Sequence, residues 1–160
     1  MKLYLIRHGI AAERGTYLND EERPLVKKGE KKTRQVAQHL FAKGVGFDLI
    51  LTSPLIRAKQ TAQILQEEGL SPKIEVFPPL APEGNIQDWL SWHDNNKVSY
   101  LALVGHQPNL GNWVEILVWG ECSEKLIVKK AGVIGLKLPD HSPPLGNSEL
   151  FLLSSPQWIL

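Results

Sequence analysis

Six short apolar runs punctuate the chain, and residues at helical spacing fill every gap between them except the last. The runs are Lys2–Ile6, Leu49–Thr52, Ile74–Phe77, Tyr100–Val104, Val133–Leu138 and Leu150–Leu153. Each has the length and the Leu, Ile and Val content of a strand. Between them, Val36, Ala37, Leu40 and Phe41 mark one helix face, and Ala58, Ala62 and Leu65 a second. Ile86, Trp89, Leu90 and His93 mark a third, and Leu110, Trp113, Val114, Leu117 and Val118 the clearest amphipathic helix of all. Strand, helix and strand in alternation is the building unit of a parallel sheet. The pattern therefore predicts an α/β fold, a three-layer α/β/α sandwich with a mainly parallel central sheet. The last two runs have no helix between them, which predicts an antiparallel pair at that edge.

With 160 residues, the chain is expected to form a single domain over residues 1–160 and to bury roughly 70% of its extended surface. The proline-rich stretches Pro78–Pro82 and Pro139–Gly146 are too short to be domain linkers and read as loops. Cys122 is the single cysteine, which excludes an intrachain disulfide and a cysteine metal cluster. A formal charge of +1 gives no reason to expect nucleic acid or an anionic membrane as partner, so any cationic character must be local. The run Lys27–Lys32 reads as the solvated face of the first helix, with attraction to an acidic protein as the competing reading. Met1-Lys2 leads into only four apolar residues before Arg7, unlike a signal peptide. No apolar stretch approaches the roughly 20 residues that span a bilayer. The cytoplasm is the expected location, and a monomer the expected state.

Three strand ends carry the chemistry. The first run closes on Arg7-His8-Gly9, the second on Ser53-Pro54 with Arg57 following, and the fourth on Gly105-His106-Gln107. Ligands of parallel α/β sheets bind at the carboxyl ends of strands. A histidine there offers a nucleophilic nitrogen, and a guanidinium grips an oxyanion. Ser53 before Pro54 reads as a helix opening, which puts Arg57 on the first turn beside free backbone N–H groups.

Taken in order, Arg7-His8-Gly9, the string Ser53-Pro54-Leu55-Ile56-Arg57-Ala58-Lys59-Gln60-Thr61-Ala62, and Gly105-His106 resemble the histidine phosphatase superfamily from Leu3 to at least Pro108. Its phosphoglycerate mutase-like fold is the sandwich expected from the strand pattern. The short length and the element Arg23-Pro24-Leu25 are similar to the phosphohistidine phosphatases of the SixA type. Two departures sharpen the choice. Gln107 follows His106 where the acid phosphatase and phytase branch has aspartate. Ile10-Ala11-Ala12-Glu13 lacks the serine or threonine and asparagine of the cofactor-dependent mutases.

The resemblance implies that His8 is a nucleophile forming a phosphohistidine intermediate. It also implies that Arg7, Arg57 and a protonated or donor-oriented His106 hold the phosphoryl oxygens, with no metal and no cofactor. The superfamily places a carboxylate general acid after the third strand, and Glu83 is the candidate; the competing reading is an exposed loop glutamate. Arg23 is a candidate extra contact to phosphate or to a partner's acidic surface. Trp89 or Trp92 is a candidate cleft residue, since they flank the loop that holds Glu83. The implied substrate is a phosphorylated histidine on a signalling protein, such as a histidine-containing phosphotransfer domain. The alternatives are a small-molecule phosphomonoesterase of the same superfamily and a non-catalytic phosphate-binding scaffold.

Overall fold

The computed structural model describes all residues from Met1 to Leu160. The strands are β1 (Lys2–Arg7), β2 (Leu49–Thr52), β3 (Ile74–Val76), β4 (Tyr100–Gly105), β5 (Val133–Lys137) and β6 (Glu149–Ser154). The helices are α1 (Lys27–Ala42), α2 (Ile56–Glu67), α3 (Ile86–Asn95), α4 (Asn109–Trp119) and the short α5 (Pro156–Ile159). The strands form one sheet in the order β3-β2-β4-β1-β5-β6. The first four are parallel, whereas β5 runs antiparallel to β1 and β6 antiparallel to β5.

Side-chain parity along the strands makes two cores. Leu3 and Leu5 of β1, Leu49 and Leu51 of β2, and Leu101 and Leu103 of β4 point to one face, under Ile86 and Trp89 of α3 and Leu110, Trp113, Val114 and Leu117 of α4. Tyr4 and Ile6, Ile50, and Ala102 and Val104 point to the other, against Val36, Ala37 and Leu40 of α1 and Ala58, Ala62 and Leu65 of α2. Both faces of the central strands are covered, which is why these runs read as continuous apolar stretches. Phe41 departs from the expected stripe and is exposed. Trp89 is fully buried against α3's own His93, and Trp92 packs on Phe77, so neither lines the cleft proposed for them.

The helices leaving β1 and β4 go to opposite faces, although the two strands are neighbours paired from Lys2↔Tyr100 to Arg7↔Gly105. That divergence opens a crevice at their carboxyl ends, the usual ligand position in such sheets. No helix is long and apolar enough to cross a membrane.

Candidate active site

Four of the residues singled out at strand ends meet in that crevice. Arg7, His8, Arg57 and His106 line one pocket of about 690 Å³, together with Arg23, Glu13, Arg14, Asp20, Gln107 and Lys130. A larger concavity of about 1100 Å³ lies at the amino ends of the strands, around Lys2, His93, Tyr100 and Lys137. It contains none of the four, and the smaller pocket is the one with the chemistry.

His8 follows the last residue of β1 and is 6% exposed. Its Nδ1 lies 2.7 Å from the carbonyl oxygen of Gly9. A carbonyl only accepts, so Nδ1 carries the proton and Nε2 keeps its lone pair. Burial pushes the His8 pKa down to about 3; the bond to Gly9 opposes that shift, and His106, Arg57 and Arg7 add to it. The ring is neutral at physiological pH, as a nucleophile must be. Gly9 has no room for a side chain, since a Cβ there would collide with Thr33 Oγ1.

Arg7 is tied through Nη1 to the Val128 carbonyl at 3.0 Å. Gln107 fixes that carbonyl's segment. Its Nε2 donates to Leu126 O at 3.0 Å, and its Oε1 accepts from the Val128 N–H at 3.2 Å. Arg57 sits on the first turn of α2, which begins at Ile56; Leu55, not Ser53, is the residue that opens it. Arg57 donates from Nη1 to the Asp20 carbonyl at 2.9 Å and from Nη2 to the Asp20 carboxylate at 3.1 Å. Arg23 is 6% exposed and reaches the other carboxylate oxygen of Asp20 at 2.8 Å. That bond holds the Asp20 carboxyl below its ordinary range; desolvation opposes it, and the charges of Arg57 and Arg23 add to it.

His106 follows β4 and is 3% exposed, its ring centroid 5.1 Å from that of His8. Its Nε2 lies 2.7 Å from Ser53 Oγ. Burial pushes its pKa down to about 3, helped by Arg57 and Arg7. The ring is therefore neutral at physiological pH, the state in which one nitrogen donates and the other accepts.

Arg7 Nε, Arg57 Nε and His106 Nδ1 are buried without any hydrogen-bond partner. One orphaned donor on each of three strand-end clusters is unusual, because buried polar groups are nearly always paired. An oxyanion in the pocket supplies acceptors for such donors. The lining also holds five cations, Arg7, Arg14, Arg23, Arg57 and Lys130, against two carboxylates, Glu13 and Asp20. Burial, followed by the mutual repulsion of Arg7, Arg14 and Arg57, lowers the pKa of Arg7.

Glu83 is not brought into the pocket. It is exposed in a tight turn where Gly84 N–H donates to the Ala81 carbonyl at 2.8 Å, and only its neighbour Pro82 reaches the lining. A Cβ at Gly84 would collide with the Pro79 carbonyl, so this turn requires glycine there. Of the two carboxylates that do line it, Glu13 is exposed and Asp20 is the one held by the arginines, a role the sequence reading passed over. Its one signal was the spacing of three to Arg23.

A neutral nucleophilic imidazole facing a cage of guanidinium groups, at the crevice of a doubly covered α/β sheet, is the equipment of a phosphoryl-transfer enzyme. The chain belongs to the histidine phosphatase superfamily (branch 1), whose family model matches residues 3–100. Members are hydrolases with a histidine nucleophile. The chain is 33% identical to phosphohistidine phosphatase SixA of Escherichia coli strain K12 over 128 residues, 76% of each protein. It is 46% identical over 168 residues to an uncharacterised protein of Picosynechococcus sp., covering 100% of this chain and 99% of that one. The structure of the protein histidine phosphatase SixA complexed with tungstate matches with a TM-score of 0.87 at 26% identity, over 100% of both chains.

Proposed function

We propose that this protein is a phosphohistidine phosphatase. It removes the phosphoryl group from a phosphorylated histidine on a protein, such as a histidine-containing phosphotransfer domain, without a metal ion. The His8 Nε2 lone pair forms a bond to phosphorus while the bond from phosphorus to the substrate's imidazole nitrogen breaks. The departing ring leaves neutral when it is protonated on its other nitrogen. Water then attacks the phosphorus on His8, the P–N bond breaks, and phosphate departs. Arg7, Arg57 and His106 hold the equatorial oxygens through both transfers, so electrostatic preorganisation is the main source of rate. A divalent cation is ill suited to a pocket already lined by five cationic side chains.

The observation that carries this reading is that no buried carboxylate is free to act as a general acid in the pocket. Glu83 is outside it, Asp20 is tied by Arg23 and Arg57, and the remaining lining carboxylate, Glu13, is exposed to solvent. An alkoxide leaving group needs such an acid, whereas an imidazole does not. The likeness to SixA supports the same substrate class. Arg14 and Lys130 at the rim are exposed and enter no ion pair, which suits an acidic partner surface.

One observation favours a small-molecule phosphomonoesterase instead. A pocket of about 690 Å³ falls within the range of small-ligand sites. Incubating the protein with a phosphorylated phosphotransfer domain and a panel of small phosphoesters decides between them. Faster turnover of the phosphoprotein is expected. Rates on a sugar phosphate that greatly exceed it would overturn the reading. The scaffold alternative predicts no turnover of either.

A further inference from the structure

Ser53 is fully buried and makes two hydrogen bonds through its hydroxyl. Its Oγ accepts from the Leu55 N–H at 3.2 Å and lies 2.7 Å from His106 Nε2. The hydroxyl proton has no other acceptor in reach, so it points to His106 Nε2. A ring nitrogen that accepts is unprotonated, and in a neutral ring the proton is then on Nδ1. His106 Nδ1 is one of the three buried donors left without a partner at the pocket. The opposite tautomer would set a bare lone pair where an oxyanion must bind and would strand the serine proton.

Eight residues on, Thr61 serves the other histidine. Its fully buried Oγ1 accepts the Gly9 N–H at 3.0 Å and donates to the Arg57 carbonyl at 2.8 Å. Gly9 is also the residue whose carbonyl, in the next peptide unit, takes the His8 Nδ1 proton. Both rings therefore carry the proton on Nδ1, yet they meet a ligand differently. His8 shows it a lone pair and His106 an N–H.

We propose that the hydroxyls of Ser53 and Thr61 are positioning groups for the two histidines, Ser53 setting the proton on His106 and Thr61 holding the N–H of Gly9, the glycine whose carbonyl orients His8. This rests on the catalytic reading above for its effect on rate, but not for its effect on the resting rings.

The test is ¹⁵N NMR of the imidazoles in the full-length protein without ligand. In the wild type both rings are expected to give a pyrrole-like Nδ1 and a pyridine-like Nε2. Ser53→Ala should mix the tautomers of His106 and leave His8 alone, and Ser53→Thr should restore the single form. Thr61→Val should broaden or shift the Nδ1–H signal of His8 with His106 unchanged, and Thr61→Ser should restore it. On phosphohistidine protein, Ser53→Ala should lower kcat about 10- to 100-fold, less than the roughly 10²- to 10³-fold cost of losing an oxyanion donor outright, because only part of the His106 population is misprotonated. A wild-type His106 protonated on Nε2 would overturn the proposal whatever the variants do. So would a Ser53→Ala protein that keeps the wild-type His106 signals. If the NMR pattern holds but no phosphohistidine substrate is turned over, the proposed function fails and the positioning stands.

Discussion

Arg57 grips Asp20 twice, at its main-chain carbonyl and at its carboxylate, while the carboxylate's second oxygen is held by Arg23. Each terminal nitrogen of Arg57 thereby spends one of its two N–H groups on one residue 37 positions earlier in the chain, and Nε–H with the second N–H of each is left for a ligand. Asp20 aims the guanidinium. Asp20→Ala is accordingly expected to lower kcat/KM by about 10-fold or more, since small displacements of a positioning group cost up to 10²-fold. Steady-state kinetics on phosphohistidine protein check it. A rise in kcat/KM would instead make Asp20 an internal anion that competes with substrate.

His8→Ala is expected to abolish both turnover and the acid-labile phosphoenzyme, because no other imidazole in the pocket presents a free lone pair. Vanadate or tungstate should inhibit the wild type, and a chelator should leave it unaffected. Quenched radiolabelling and inhibition curves read both. Phosphate trapped on any other residue, or activity lost to chelation and restored by a divalent ion, would contradict the mechanism.

Both pocket histidines have pKa values near 3 in the fold, against an ordinary value of 6.5. Between those pH values the unfolded chain binds protons on these rings and the folded chain does not. Stability therefore declines as pH falls from about 6.5 toward 3, and these rings cost nothing further below that. Denaturation midpoints from pH 7 to 5 should fall in the wild type and less steeply in a His8→Gln, His106→Gln double variant. The acid limb of kcat/KM, corrected for the substrate's own ionisation, should pass through pH 6.5 without a break. A break there would mean that His8 titrates like a solvent histidine.

Glu83 stands outside the lining, so Glu83→Gln is expected to change rates on phosphohistidine protein and on alkyl phosphates by less than about 3-fold. A general acid would cost roughly 10²-fold or more on the alkyl phosphate. Parallel rates of the two proteins at one pH distinguish the cases.

Arg7, His8, Arg57 and His106 were legible because each lies within a few residues of an apolar run, and a strand end fixes position in space almost as firmly as in sequence. Asp20 was not, since its place depends on how the loop between β1 and α1 folds across the start of α2, a contact with no local signature. Glu83 failed for a related reason. Being near the third strand in sequence says nothing of which way a tight turn faces. Ser53 was read as a helix opener, but helix α2 begins three residues later and its hydroxyl crosses from β2 to β4 instead. Phe41 continued the spacing of its stripe past the point where α1 still covers the sheet.

The pairing of Arg7 with Gly105 sets where this chain can tolerate a change of length. Inserting one residue within β1 would exchange the side chains of its two faces, sending Tyr4 and Ile6 toward α3 and α4 and the leucines toward α1. Inserting two would restore the faces but advance His8 by about 6–7 Å along the strand axis, beyond reach of His106 and Arg57. Additions and deletions are thus confined to the stretches between strand ends and helices. In such a chain the room to acquire a substrate preference lies in the loop from Ile10 to Val26 and the segment from Glu121 to Lys130, between the contacts that Asp20, Arg23, Leu126 and Val128 make to the site.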